Sequence, residues 1–322
     1  MELSCAFPPG PDVARHVQLA EELGYRRAWI YDSPALYGDV WMQLTECALA
    51  TTRIGLGPGV LVPSLRHPMT TAAAIASLER LAPGRVAVAI GTGFTGRFVM
   101  GRQPLTWATT ERLTAQIVGL LRGDTVEIDG APARMIHPPG WTTDRPIDTP
   151  ILMGANGPKG LEAAARLGAD GVVSIFGAQA GWDWSALFGY GTVLEDGESA
   201  DSPRVLDAAG PGGAVVYHGM YEADPSLLDG FEGGPEWRAA VEEFPEGERH
   251  LHTHELHFVG MTERDRASVT GDLIAGTTWT APAEELRSRL AQVADQGVTE
   301  FWYAPMGSDI PRELQAFRAL VD

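Results

Sequence analysis

The sequence predicts an α/β chain folded as a (β/α)8 TIM barrel, with an insertion near its C-terminal strands. Three observations carry this. One phrase occurs three times, at Val13 to Ile30, Leu161 to Val173 and Leu286 to Tyr303: an amphipathic helix, a glycine near its end, a short turn, then a β-branched or aromatic run. Strands are expected near Leu3, Ala28, Ile54, Val86, Pro150, Gly171, Leu187 and Phe301, and eight is the number that closes a barrel. Their runs are almost continuously apolar, as in a parallel sheet covered on both faces. An open doubly wound sheet would share the local pattern, and the count of strands favours the barrel.

In the first unit Val13, Val17 and Ala20 fall on one helical face, Gly24 is placed to end the helix, and Arg27 to Tyr31 reads as a strand. Strands near Arg53 to Leu61 and Arg85 to Ile90 follow, with a helix from about Met69 to Arg80 between them. Gly168 and Gly297 repeat the role of Gly24. From Asp196 to Gly276 the alternation weakens: a helix is expected from Pro203 to Tyr221, then a Gly/Pro/Glu-rich stretch. We read the chain, 1–322, as a single barrel domain with an insertion at about 196–276 packed over the barrel mouth.

With 322 residues, 44% of them hydrophobic, the chain has material for one large core. A formal charge of -18 without a Lys/Arg cluster argues against nucleic acid and anionic membranes, where binding begins with phosphate neutralisation. Cys5 and Cys47 stand far apart and outside any metal-binding spacing, which leaves two buried thiols. No apolar run reaches membrane-spanning length and the start lacks a secretory pattern, so a cytoplasmic protein acting on a small molecule is expected.

In such a barrel the reactive groups stand on the loops after the strands. Those loops contain Tyr31-Asp32-Ser33-Pro34, Gly57 to Pro63 with Arg66-His67-Pro68, Gly91 to Gly96, and Gly154 to Gly160. The last has the make-up of an anion site: glycines admit a ligand to the backbone, and Pro158 starts a helix whose free N–H groups point outward. An ordinary tight turn has the same composition. The run His250-Leu251-His252-Thr253-His254-Glu255-Leu256-His257 reads first as a plain strand, which would put His250, His252 and His254 on one face and His257 on the other. Three imidazoles suit zinc, and they serve equally as proton-transfer groups. Trp182, Trp184, Phe188 and Tyr190 cluster near the sixth strand, to line a pocket or to pack a core.

In their order, Ala-Glu-Glu-Leu-Gly, the Gly-Val before Pro63, Arg66-His67-Pro68, Gly84-Arg85, Gly91-Thr92-Gly93 and Gly-Pro-Lys resemble the luciferase-like flavin- and deazaflavin-dependent oxidoreductases, in their methylenetetrahydromethanopterin reductase-like branch. The resemblance covers the first 175 residues and Thr277 to Pro305. It implies a cis peptide at Gly59-Val60 behind a tricyclic ring, a cofactor contact from Asp32, and a phosphate turn at Gly154, Ala155, Asn156, Gly157 and Lys159, with Thr92 and Gly93 also beside the cofactor. It offers no metal, and none is expected. Where deazaflavin dehydrogenases of the family place a titrating histidine and glutamate, this chain has Ser33 and Phe94, which argues against alcohol oxidation by that route. Asp32, His67 and His254 remain as catalytic candidates.

The expected activity is hydride transfer from reduced coenzyme F420 to an unsaturated small molecule. Monooxygenation with reduced FMN and oxygen is the alternative, and a flavin-binding or storage protein without turnover is the rival of another class. The family often dimerises, which leaves a homodimer open.

Overall fold

The computed structural model describes residues 1–321. In chain order β1 (Glu2–Phe7) leads to α1 (Val13–Glu22), and Gly24 at φ 83 turns the chain into β2 (Arg27–Ile30). Then come α2 (Val40–Ala50), capped by Asp39, and β3 (Gly55–Pro58). Next are α3 (Pro68–Leu81), β4 (Val88–Ile90), the short α4 (Phe94–Phe98) and α5 (Trp107–Arg122). A two-stranded hairpin, β5 (Val126–Ile128) and β6 (Ala131–Ala133), precedes β7 (Ile151–Gly154), α6 (Pro158–Leu167), β8 (Gly171–Ser174) and β9 (Ser185–Tyr190).

After the short β10 (Val193–Leu194) the insertion contributes α7 (Pro203–Ala223), α8 (Gly234–Glu242), α9 (Arg249–Thr253), α10 (Glu263–Ser268) and α11 (Gly271–Thr277). The chain then returns through β11 (Ala281–Pro282), α12 (Ala283–Asp295), β12 (Glu300–Ala304) and α13 (Ile310–Arg318). β10 and β11 pair in parallel, so the two ends of the insertion leave the barrel side by side.

Eight strands pair in parallel in the order β3-β2-β1-β12-β9-β8-β7-β4. Parallel bridges Leu56 to Val86 and Leu61 to Ile90 close β3 against β4, which makes the barrel. All eight expected strands are present. At the closure Gly57 is required by space: a Cβ there would stand 1.7 Å from the Ala87 carbonyl oxygen.

Alternation along the strands separates two layers. Leu3, Cys5 and Phe7 belong to the main core cluster together with helix residues such as Val17 and Leu44, while Ala6, Trp29, Ala89, Leu152, Ala186 and Trp302 form a second cluster with their neighbours inside the barrel. The lower barrel holds one buried carboxylate, Glu300, which accepts hydrogen bonds from Ser4 Oγ, Trp29 Nε1 (3.3 Å), Trp184 Nε1 (2.6 Å) and Arg27 Nη1 (3.2 Å). A buried charge persists only with partners of this kind. The indoles of Trp29 and Trp302 stack at 4.0 Å above it.

The insertion has a core of its own, with Val205, Tyr217, Leu228, Trp237, Val241 and Ile274 among its members. Within it the expected strand at His250 to His257 is not found. Arg249–Thr253 is helical and the chain then turns, with Leu256 at φ 56 and Phe258 at φ 60. Two non-glycine residues in the left-handed region are uncommon, and they break the alternation that the spacing of the histidines suggested. His254 and His257 are thereby brought to the same side instead of opposite faces.

Candidate functional site

The loops at the C-terminal ends of the strands converge around Val60. The Gly59-Val60 peptide is cis, as expected. Two glycines make room for the Val60 side chain: an added Cβ at Gly91 would lie 2.7 Å from Val60 Cγ2, and one at Gly154 would lie 3.2 Å from Val60 Cγ1. Gly59 itself lies against Trp29 and Trp302, where a Cβ would come within 2.9 and 3.1 Å of their side chains. Gly93 adopts φ 84 and could not carry a Cβ without meeting Val62 at 2.5 Å. Thr92 beside it is buried and its carbonyl accepts from the Leu105 N–H at 2.9 Å.

On the far side, Gly157 is the N-cap of α6 and Pro158 occupies the first turn, with no side chain capping the free N–H groups. At Gly157 an added Cβ would meet nothing within 4 Å, so the space in front of this helix start is open. Ala155 is buried and Lys159 exposed. Asn156 ties the turn to β8: its Oδ1 accepts from Ile175 N–H at 2.8 Å and Ser174 Oγ at 3.1 Å. An uncapped helix start with room before it is suited to an anion.

Asp32 is buried, and both its oxygens are engaged. Arg66 Nη1 donates at 2.8 and 3.0 Å, and the Val62 N–H donates at 3.1 Å. Burial raises its pKa, with the Arg66 charge opposing the rise. Arg66 also reaches Asp39 at 2.7 Å, so the β2 and β3 loops and the cap of α2 are joined through one guanidinium. His67 caps α3, its Nδ1 accepting from the Met69 N–H at 3.1 Å, while Nε2 faces Asp129 of the hairpin at 3.8 Å.

His254 is buried with both ring nitrogens occupied, Nδ1 against His257 Nδ1 at 3.3 Å and Nε2 against Glu222 at 3.3 Å. The side chains of Asp32, His67 and His254 thus each engage separate partners.

Between the cradle and the insertion lies an aromatic tier. Phe258 contacts the rings of Tyr31, Phe188 and Tyr190 at centroid distances of 5.7, 5.8 and 5.2 Å. Of the aromatics singled out in the sequence, Phe188 and Tyr190 belong here. Trp184 instead covers Arg27 at 4.2 Å in the lower barrel, and Trp182 packs against the main core. Tyr31 stands in the loop after β2 that the sequence marked, whereas Tyr37 and Phe258 were missed, because nothing local marks them as mouth residues. The Tyr31 hydroxyl is buried without a hydrogen-bond partner among the described residues, and burial holds its pKa well above the usual tyrosine value. Ser33 is buried, and Phe94 is exposed with its ring edge against Phe98.

A cavity of about 760 Å³ lies at the opposite face, lined by Thr114, Gly119, Thr149, Gly168 and Asp170 among others. It adjoins the N-terminal ends of the strands, where barrels place residues for stability and not for chemistry. The cradle at Val60 is therefore the candidate site.

Residues 6–300 match the family model described as luciferase-like monooxygenase. A 5,10-methylenetetrahydromethanopterin reductase from Methanolobus tindarius is 38% identical over 172 residues, 50% of this chain and 49% of that protein. An F420-dependent glucose-6-phosphate dehydrogenase from Beutenbergia cavernae is 32% identical over 190 residues, 52% of this chain and 53% of that protein. The chain thus spans about half the length of the curated relatives it matches. Among solved structures, the coenzyme F420 dependent tetrahydromethanopterin reductase from Methanopyrus kandleri superposes with a TM-score of 0.65 at 20% identity, over 98% of this chain and 97% of that one. That likeness shows the fold. No helix among the described residues is long and apolar enough to cross a membrane.

Proposed function

The chain belongs to the luciferase-like family, and on that premise we propose that it is an oxidoreductase using reduced coenzyme F420 to reduce an unsaturated small molecule. The observation that carries the reading is the cradle: the Val60 side chain seated between Gly91 and Gly154, with an uncapped helix start and open space at Gly157 beyond it. The residues fit a flat ring with a phosphate-bearing tail. When bound, the deazaflavin supplies the hydride.

Each chain segment then has a task. Val60 backs the ring, and Gly91 and Gly154 keep its side chain in place. The first N–H groups of α6 and the Lys159 charge hold the phosphate. Asp32 and Arg66 act as positioning residues, because the Asp32 carboxylate fixes the Val62 N–H and with it the course of the β3 loop. Phe188, Tyr190 and Phe258 give the substrate side an apolar wall that excludes water. With the carboxylate of Asp32 and both ring nitrogens of His254 engaged elsewhere, and His67 Nδ1 capping α3, the site favours an acceptor that needs little proton abstraction by a side chain.

Support for the cofactor comes from the F420-dependent relative at 32% identity. The description of the family model favours a second reading, FMN-dependent monooxygenation, which the cradle would serve equally. Absorbance titration of the protein with F420 and with FMN separates them. Tighter binding of F420 by at least about tenfold is the expected result, and hydride transfer from reduced F420 without oxygen consumption should follow. A preference for FMN with oxygen uptake would replace the reading by the second, and failure to bind either would remove both.

A further inference from the structure

Three buried histidines meet where the insertion touches the barrel. His218 comes from the C-terminal part of α7, and His254 and His257 from the turns after α9. Their Nδ1 atoms face one another, His218 to His257 at 2.9 Å and His254 to His257 at 3.3 Å. One nitrogen from each of the three lies within 4.8 Å of the others. Ligand nitrogens about 2.0–2.1 Å from a tetrahedral zinc stand about 3.3–3.4 Å apart, so the spacing is close to that of a ligand set.

The outer nitrogens strengthen the case. His254 Nε2 faces Glu222 Oε1 at 3.3 Å and His257 Nε2 faces Thr95 Oγ1 at 3.4 Å, while His218 Nε2 is buried without a hydrogen-bond partner among the described residues, its nearest carboxylate oxygen being Asp265 Oδ1 at 3.7 Å. A carboxylate beside an imidazole nitrogen favours the proton on that nitrogen, which leaves the other one bare. His218 and His254 then both direct a lone pair at His257 Nδ1, which carries at most one proton. A divalent cation resolves that surplus of lone pairs, and carboxylates on the outer nitrogens are the usual second layer of histidine metal sites.

We propose that His218, His254 and His257 bind a zinc-type divalent ion through their Nδ1 atoms. The ion would fasten the insertion to the barrel mouth, since Thr95 lies in the short α4 that follows β4 and the His257 carbonyl accepts from Tyr37 Oη on the loop after β2. This trio differs from the one that the sequence suggested. His252 stacks on Phe244 at 3.6 Å and bonds Glu255, and His250 lies against Gly101, so neither takes part.

The test uses tag-free full-length protein. After dialysis against zinc and then metal-free buffer, about one zinc per chain should remain, and X-ray absorption should show nitrogen neighbours at about 2.0–2.1 Å. A strong chelator should lower the melting temperature by several degrees. His218→Ala and His257→Ala should each weaken zinc binding at least about a hundredfold, while H250A/H252A should leave it unchanged. If the single variants fail to fold, the wild-type stoichiometry and absorption spectrum still decide. Retention of less than a tenth of an equivalent, or loss of zinc in H250A/H252A alone, would overturn the site.

Discussion

At the strand ends of the barrel, backbone sets the geometry: Gly57 passes the Ala87 carbonyl with no space for a Cβ, and Gly91, Gly93 and Gly154 admit Val60 and Val62. In the insertion, side chains set it. Trp237 sits fully buried, donates from Nε1 to Asp265 at 2.7 Å, and lies beside His218, whose ring is 5.6 Å away. One region carries chemistry as a shaped gap, the other as converging imidazoles. The first has no space for added atoms at Gly57, Gly91 and Gly93, and the second depends on the atoms that its buried side chains supply.

The largest effect is expected where the gap is tightest. Gly57→Ala must push β3 from β4, and overpacking of this severity should cost at least about 3 kcal/mol. Soluble expression and the urea midpoint check it. A variant within 1 kcal/mol of the parent would mean that the barrel closure yields and is not fixed by backbone contact. Trp237→Ala removes atoms instead, and loss of a buried indole costs about 3–5 kcal/mol. Because the insertion has its own core, hydrogen exchange should accelerate across 203–277 while β1, β2 and β12 stay protected. Equal loss of protection in both regions would show that they unfold as one unit.

Gly157→Val sharpens the contrast inside the barrel. Its φ of -164 is open to any residue and its surroundings are empty, so the urea midpoint should move by less than about 0.5 kcal/mol. Cofactor affinity should fall at least about a hundredfold, because the new methyls would fill the place proposed for the phosphate. Unchanged affinity would take the phosphate away from this turn.

The same contrast explains what the sequence disclosed. Glycine and proline impose local geometry, so the Gly24, Gly168 and Gly297 turns, the eight strands and the Gly157-Pro158 helix start were legible along the chain. Helix α2 carries apolar residues on most of its surface and α5 begins after an irregular stretch, so neither stood out by periodicity. The histidine cluster could not be read at all. His218 and His257 are 39 positions apart, and the spacing of His250, His252 and His254 mimics a strand, whereas left-handed Leu256 and Phe258 decide where His257 points. The Asp32–Arg66 pair was half visible, since both residues lie in quoted motifs and only their contact was hidden.

The smallest effect concerns how the insertion is rooted. Arg204, in the first turn of α7, donates to both oxygens of Glu198 and to Thr192 Oγ1, Glu313 and the Val193 carbonyl, which binds the insertion's first helix to β10 and α13. The Arg204 hydrogen bonds hold the Glu198 pKa down to about 2. A carboxylate with a depressed folded value stabilises the fold above its ordinary pKa, near 4.3, and that contribution is lost as pH falls toward about 2. Solvent reaches the Glu195 to Ser199 turn and screens the pair, so the contribution should be about 1 kcal/mol and not the full value of the shift. Glu198→Gln should therefore lower stability by that amount at pH 6 and by almost nothing at pH 2, measured as urea midpoints at the two pH values. Equal losses at both would mean that Glu198 acts by packing and its charge plays no part in anchoring the insertion.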